Sequence, residues 1–203
     1  MLIIGAGPSG LLLALLLAKH GISLTVLEKS DEYDKQPRAS FYSLPALHEL
    51  RRAGVMDEVN GKGFHASGVS WRHIDGTRIA SIYASSQDEE ERQVSLPLDE
   101  LIPLIASHLE RQPSAQILLS HEVLASGQDE QSAWVDVKTP NGEKRFSATY
   151  VVGCDGGASK IRRDLFGKSF PGHTWEKQIV ATNVCKPEPH SRARLTQNSG
   201  LLS

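Results

Sequence analysis

Three glycines near the start of the chain could bring backbone N–H groups against a phosphate. Residues 1–10 read MLIIGAGPSG, so an apolar segment runs directly into a G-x-G-x-x-G spacing. Gly5 permits a tight turn, Gly7 lets the backbone approach a pyrophosphate, and Gly10 lets the following helix pack closely on the strand. The N-terminus of that helix then faces the anion. The motif predicts a dinucleotide-binding turn made of Gly5, Ala6, Gly7, Pro8, Ser9 and Gly10.

An acidic residue follows at the place where such a fold binds a ribose. The apolar run 11–19 predicts a helix, and residues 23–27 predict a second strand that ends next to Glu28. A carboxylate at this position can accept hydrogen bonds from a ribose diol. Glu28 and its neighbour Lys29 are therefore candidate cofactor-binding residues.

A second segment of the chain has the residues for contact with a nucleotide. Residues 151–163 read VVGCDGGASKIRR, an apolar strand that ends in Asp-Gly and leads into a predicted helix. Asp155 could hydrogen-bond a ribose hydroxyl, and Gly156 allows the chain to turn close to a ligand. Arg162, one turn into the helix, could pair with a carboxylate or phosphate. Nicotinamide dehydrogenases and flavoproteins share the first motif, and this second segment is the feature that distinguishes them.

The periodicity of apolar residues predicts the elements that must position these motifs. Residues 1–28 form a β-α-β unit, a helical period over 44–59 is interrupted at Gly54, and another helix covers 98–110. Asp75 and Gly76 indicate a hairpin turn between strands at 69–73 and 78–83. Other predicted elements are strands at 117–119, 123–126, 133–138, 144–148, 150–154 and 175–185, a helix at 159–165, and loops at 61–68 and 85–92. This order predicts an α/β fold.

Composition excludes several classes of function. With 203 residues and a net charge of −2, the chain gives no reason to expect a nucleic acid or an anionic membrane as partner. The apolar run 11–18 is too short for an integral membrane segment and lacks the preceding basic residues of a secretory signal. Cys154 and Cys185 make neither a disulfide framework nor a metal-ligand pair, which favours an intracellular, cytoplasmic setting. Neither H-E-x-x-H nor G-x-S-x-G occurs, so metalloprotease and hydrolase chemistry have no support.

Together the motifs resemble the group A flavoprotein monooxygenases, the FAD-dependent aromatic hydroxylases of the p-hydroxybenzoate hydroxylase type. Between the two motifs, Pro37-Arg38-Ala39 resembles the family's arginine that reaches the flavin cofactor. Residues 44–58 resemble the helix that follows it, and 170–175 (FPGHTW) resemble the crossing into the family's substrate sheet. The resemblance implies a Rossmann-like FAD-binding domain, with a parallel sheet and added antiparallel strands, and the beginning of a substrate-domain sheet. Arg38 and Val123 complete the candidate cofactor-binding residues.

The resemblance also implies a reaction. FAD would be the resident cofactor, NAD(P)H the co-substrate that reduces it, and a flavin hydroperoxide would transfer one atom of O2 to an aromatic or phenolic small molecule. The sequence assigns no catalytic acid or base. The alternatives are another FAD-dependent oxidoreductase, such as a halogenase or reductase, and a catalytically inactive FAD-binding fragment. The Asp-Gly-Gly-Ala-Ser segment at 155–159 argues against a plain NAD dehydrogenase.

Two domains are expected from this resemblance. Residues 1–167 would form the FAD-binding domain with an inserted hairpin around 66–84, and residues 168–203 would begin the substrate domain. Family members are longer, and their Gly-Asp-Ala-x-His segment does not occur in this sequence. We therefore expect the chain to be a fragment, a truncated gene product or a natural short form.

Overall fold

The computed structural model describes residues 1–36, 41–66, 68–83, 93–167, 169–173 and 175–177. The chain divides into two compact units, one of Met1–His65 with Gln93–Gly172 and the other of Ala66–Arg92 with His173–Ser203. Arg38, the predicted loop 85–92 and most of the predicted strand 175–185 lie outside the described residues. The assignment of 168–203 to a substrate domain stays a prediction.

The described elements are five helices and eleven strands. In chain order they are β1 (Leu2–Ile4), α1 (Pro8–Lys19), β2 (Leu24–Leu27), α2 (Leu44–Ala53), α3 (Met56–Lys62), β3 (Phe64–His65), β4 (Gly68–Arg72), β5 (Arg78–Tyr83), β6 (Val94–Ser95), α4 (Leu98–Glu110), β7 (Ala115–Leu118), β8 (Glu122–Gln128), β9 (Ala133–Thr139), β10 (Gly142–Ala148), β11 (Val151–Gly153) and α5 (Lys160–Phe166). Strands β4 and β5 belong to the second unit, and the other elements to the first.

A four-stranded parallel sheet forms the centre of the first unit. Its strand order is β11-β1-β2-β7, and β1 pairs in parallel with both β2 and β11. The connection from β1 through α1 to β2 is the predicted β-α-β unit, which is confirmed. The chain adds β2 and then β7 on one side of β1, and later places β11 on its other side. This strand order is that of one half of a dinucleotide-binding fold, in which the ligand crevice lies at the carboxyl ends of the strands.

The two faces of this sheet pack against different layers, because side chains alternate along each strand. Ile3 is 0% exposed and belongs to the core shared with α1, α2 and α4. Leu2 and Ile4 face the other way, into a second core that contains Val135 and Val137 of β9. Strands β10, β9 and β8 form an antiparallel sheet in that order. The predicted α/β class, with a parallel sheet and added antiparallel strands, is confirmed.

The helical period predicted over 44–59 is interrupted at Gly54, as the sequence indicated: α2 ends there, and α3 begins at Met56. Gly54 has a φ of +71°, the left-handed conformation that closes α2, and Lys19 Nζ donates to the carbonyl oxygen of Ala53 at 2.6 Å. This cation satisfies a carbonyl of the last turn of α2 and joins it to α1.

One local prediction is wrong. Residues 61–68 were expected to be a loop, but α3 extends to Lys62 and β3 pairs antiparallel with β6. This pairing joins segments that are far apart in sequence, so local glycine content could not reveal it. Of the strand predicted at 175–185, only residues 175–177 are described, and they are not in a strand. Trp175 is 80% exposed, and no strand among the described residues pairs with this stretch.

The predicted hairpin in the second unit is confirmed. Strand β4 pairs antiparallel with β5, and Gly76 adopts a φ of +90° in the turn between them. Asp75 Oδ1 accepts a hydrogen bond from the Thr77 N–H at 2.8 Å, which favours the turn. Within the described part of the chain, no helix has the length and apolar character needed to cross a membrane.

We expect the central strand to dominate the stability of the first unit. Replacing Ile3 with Ala should lower the free energy of unfolding by about 3 kcal/mol, because it removes buried methyl groups and leaves a cavity. Ile74→Ala is the matched control, since Ile74 is 90% exposed, and should change stability by less than about 0.5 kcal/mol. Urea unfolding followed by circular dichroism measures both. Equal effects of the two substitutions would contradict the described core.

Candidate functional site

The glycine motif lies where two backbones approach each other closely. Gly5 has a φ of +105°, and a Cβ placed on it would lie 2.4 Å from the carbonyl oxygen of Cys154. A Cβ on Gly10 would lie 2.1 Å from the carbonyl oxygen of Gly5. Gly7 differs from both, because no atom beyond its two neighbours in the chain lies within 4 Å of the place where its Cβ would stand. Packing therefore requires glycine at positions 5 and 10, whereas position 7 faces open space.

The N-terminus of α1 is available to an anion. Gly7 is the N-cap residue in an extended conformation and gives no side-chain cap, and Pro8 occupies the first helical position. The first turn of a helix leaves backbone N–H groups without intrahelical partners and has a partial positive charge. Ser9 is exposed and Gly10 buried in this turn. The arrangement is typical of a phosphate-binding helix N-terminus.

The carboxylate of Glu28 is already bonded to the protein backbone. Its Oε2 accepts a hydrogen bond from the N–H of Ala6 at 2.8 Å, and its Oε1 accepts one from the N–H of Ser30 at 3.0 Å. A carboxylate has about four acceptor positions, so each oxygen keeps one for another donor. Glu28 thus holds the glycine turn in place and retains capacity for a ribose hydroxyl.

A cleft of about 960 Å³ lies at the carboxyl ends of the parallel strands. Its walls come from the glycine turn, residues 28–36, residues 121–124 and the segment that begins at Cys154. The predicted cofactor-binding residues that line it are Gly5, Ala6, Gly7, Glu28, Lys29, Val123, Asp155 and Gly156. Pro8, Ser9 and Gly10 form the first turn of α1 and do not line the cleft, and Arg38 lies outside the described residues.

The turn between β7 and β8 brings Val123 to this cleft. Ser120 has a φ of +57°, and its N–H donates to the carbonyl oxygen of Ser30 at 2.8 Å. The N–H of His121 donates to the carbonyl oxygen of Glu28 at 2.8 Å. These bonds tie the turn to the end of β2. Strand periodicity placed Val123 on a strand, but no local pattern indicated the left-handed residue that positions it.

Asp155 has a structural role that the sequence reading did not include. Its Oδ1 accepts from the hydroxyl of Ser159 at 2.6 Å, and its Oδ2 accepts from the N–H groups of Lys160 at 2.5 Å and Ile161 at 3.2 Å. Ser159 Oγ in turn accepts from the N–H of Arg162 at 3.0 Å. Asp155 and Ser159 together cap the N-terminus of α5. Contact between Asp155 and a ribose stays a prediction, with one acceptor position left for it.

The paired arginines of α5 point to different surroundings. The guanidinium of Arg162 lies 4.7 Å from the centre of the Phe170 ring. Arg163 lines the cleft, as does Lys160 three residues before it. The sequence indicated Arg162 as the arginine that could pair with a phosphate, whereas the structure places Arg163 in the wall of the cleft.

Two titratable groups that line the cleft keep their protons at neutral pH. Burial, with a contribution from the Glu110 carboxylate, raises the pKa of Tyr33 to about 12. Burial and the neighbouring Asp155 carboxylate raise the pKa of the Cys154 thiol. Tyr33 Oη donates to Glu110 Oε1 at 3.4 Å. Both residues therefore serve as packing and hydrogen-bonding groups, and neither is an ionised nucleophile.

Comparison with known proteins assigns the chain to a family. A family model described as FAD binding domain matches residues 1–197, so the chain belongs to that family. Para-nitrophenol 4-monooxygenase of Pseudomonas sp. is 32% identical over 187 residues, which cover 91% of this chain and 46% of that protein. 6-hydroxy-3-succinoylpyridine 3-monooxygenase of Pseudomonas putida is 31% identical over 187 residues, covering 91% and 48%.

A solved structure agrees with these sequence matches. The crystal structure of p-nitrophenol 4-monooxygenase from Pseudomonas putida superposes with a TM-score of 0.80 at 29% identity, covering 86% of this chain and 45% of that one. This chain spans about half the length of these relatives. The resemblance to the FAD-dependent aromatic hydroxylases is confirmed as a family relationship.

The packing at Gly10 leads to a stability prediction. Gly10→Ala should destabilise the ligand-free chain by about 2 kcal/mol or more, because the new methyl group meets the backbone at Gly5 and neither backbone can move freely. Thermal unfolding followed by circular dichroism measures the change. Gly157→Ala is the control, because nothing lies within 4 Å of that Cβ position. An unchanged unfolding temperature for Gly10→Ala would contradict the close crossing.

Proposed function

We propose that the cleft binds FAD, and that this chain is the cofactor-binding part of a monooxygenase acting on an aromatic or phenolic small molecule. The observation that carries the proposal is the open space at Gly7, beside an uncapped helix N-terminus and inside a turn whose other glycines are packed. A side chain at position 7 would fill the approach to the helix, so the gap fits a pyrophosphate.

The residues of the chain fit the parts of a dinucleotide. Backbone N–H groups of the glycine turn and of α1 would hold the pyrophosphate, and the free acceptor positions of Glu28 would receive the ribose diol. Lys29, Val123, Asp155 and Gly156 line the same cleft. Gly156 adopts a φ of +79°, so the chain turns at the cleft without a side chain in the way.

The bound cofactor would supply the chemistry. When bound, FAD would supply the redox chemistry that links NAD(P)H, O2 and the substrate. The chain's own contribution is to bind and orient the adenosine end, since the described residues around the cleft act through hydrogen bonds, packing and fixed charges. Support for oxygen transfer comes from the relatives, both of which are monooxygenases by name.

Binding of FAD tests the first part of the proposal. The chain should bind FAD with a saturable change in flavin fluorescence, and Gly7→Ala should weaken binding by at least about tenfold by crowding the phosphate. The same variant should unfold within about 1 kcal/mol of the unsubstituted chain, since its Cβ meets no neighbour. A chain that never binds FAD, or a Gly7→Ala variant with unchanged affinity, would count against the cleft as the cofactor site.

Turnover tests the second part. The FAD-loaded protein, supplied with NADPH or NADH and isotopically labelled O2, should place one labelled oxygen atom in a phenolic probe such as 4-nitrophenol or 3-hydroxyphenylpropionate. Mass spectrometry of the product is the measurement. Oxidation of NAD(P)H without labelled product would indicate a reductase, and a halogenated product with added halide would indicate a halogenase. FAD binding with no turnover would favour the second candidate, a cofactor-binding chain without activity of its own.

A further inference from the structure

Strand β8 and helix α5 both contribute residues to the cleft. Val123 and Leu124 line it from β8, and Lys160 and Arg163 line it from α5. The shape of the cleft therefore depends on how these two elements lie relative to each other. Contacts outside the cleft must fix that arrangement if the cleft is to be formed before a ligand binds.

The end of β8 that lines the cleft is irregular. The pairing of β8 with β9 shifts in register between Val123 and Ala125, so Leu124 is an extra residue in the strand. A β-bulge of this kind bends the strand and interrupts the ladder of hydrogen bonds. Among the described strands, β8 pairs with β9 alone and is an edge of its sheet. Its ladder thus holds it less firmly than a central strand is held.

Asp164 supplies a contact to β8 that β9 does not provide. Asp164 Oδ2 accepts from both the N–H and the hydroxyl of Ser126, each at 2.9 Å, and its other oxygen pairs with Lys160 Nζ. Ser126 lies two residues beyond Leu124, and Asp164 directly follows Arg163. In the part of the chain that the structure describes, these are the only side-chain hydrogen bonds between α5 and β8. Neither Ser126 nor Asp164 lines the cleft.

The beginning of α5 is fixed independently of Asp164. Asp155 and Ser159 cap its first turn. Ile161 is buried against Gly153 of β11, where an added Cβ would lie 2.9 Å from the Cβ of Ile161. The helix can therefore form without Asp164, and Asp164 holds the following turn of α5 against β8.

We propose that Asp164 is a positioning residue for the cleft, which holds α5 through Ser126 in the arrangement with β8 that a bound dinucleotide requires. The inference rests on the proposed function, because it takes FAD as the occupant of the cleft. Asp164 acts through Ser126 and does not touch the ligand. Without this contact only a fraction of the molecules keeps the binding arrangement, and the apparent dissociation constant rises by the inverse of that fraction.

The test removes the contact from each side in the full chain. Asp164→Ala removes the acceptor, and Ser126→Ala removes one of its two donors. The double variant shows whether the two substitutions act through the same contact. Loss of Asp164 also frees the ammonium of Lys160, so FAD dissociation constants are measured by fluorescence titration at high ionic strength, where charges are screened. Circular dichroism verifies that each variant is folded.

Asp129→Ala is the matched control. Asp129 Oδ1 accepts from the N–H groups of Gln131 and Ser132, each at 2.8 Å, in the turn that follows β8. This carboxylate therefore also binds backbone N–H groups next to β8, but it does not line the cleft and does not contact α5. Its loss tests whether lower stability near β8 is enough to weaken binding.

We expect Asp164→Ala to raise the dissociation constant of FAD by about tenfold, which corresponds to about one molecule in ten in the binding arrangement. Ser126→Ala should raise it by about threefold, since the N–H of residue 126 still donates. The double variant should lie within about twofold of Asp164→Ala, and Asp129→Ala within about twofold of the unsubstituted chain. Hydrogen exchange gives a second readout, because FAD should slow exchange in residues 160–166 more in Asp164→Ala than in the unsubstituted chain.

Two results would overturn the inference and leave the proposed function intact. One is an Asp164→Ala variant that binds FAD within about twofold of the unsubstituted chain. The other is an Asp129→Ala variant with an equal loss, which would assign the effect to stability alone. If Asp164→Ala does not fold, Ser126→Ala decides, and unchanged affinity there contradicts the inference. Failure of the unsubstituted chain to bind FAD would instead overturn the proposed function, and the role of Asp164 with it.

Discussion

The close crossing of two backbones at Gly5 is the constraint on which the cleft depends. The end of β1 and the segment after β11 meet there without room for a Cβ atom, and Gly10 brings α1 against the same point. Strands β1 and β11 pair in parallel up to this crossing. The crossing therefore sets the position of the helix N-terminus relative to the segment at 154–156, and so the two walls between which a dinucleotide would lie.

Acidic side chains fix the polar parts of this arrangement. Glu28 holds the Ala6 N–H, Asp155 caps α5, and Asp164 ties α5 to β8. Each carboxylate accepts a hydrogen bond from a backbone N–H group of another segment, in the glycine turn, at the N-terminus of α5 or within β8. Glu28 and Asp155, which the sequence motifs indicate as ligand contacts, thus also hold the backbone around the cleft, and such pre-organisation lowers the cost of binding.

The family relationship and the geometry give complementary information. The match to the FAD binding domain over residues 1–197 indicates FAD as the cofactor. The open space at Gly7 and the free acceptor positions of Glu28 indicate where this chain would hold the pyrophosphate and the ribose of FAD. The chain spans about half the length of its relatives, so FAD binding at this cleft and oxygen transfer are both proposals for it.

The sequence by itself determined the β-α-β start, the hairpin at Gly76, the α/β class and eight of the residues that line the cleft. These follow from local spacing, since glycine motifs, turn residues and apolar periods act over a few residues. Only the tertiary structure decided that Asp155 caps α5, that Arg163 faces the cleft where Arg162 does not, and that β3 pairs with β6. Each depends on contacts between distant segments, and no local pattern records how a helix is rotated against them.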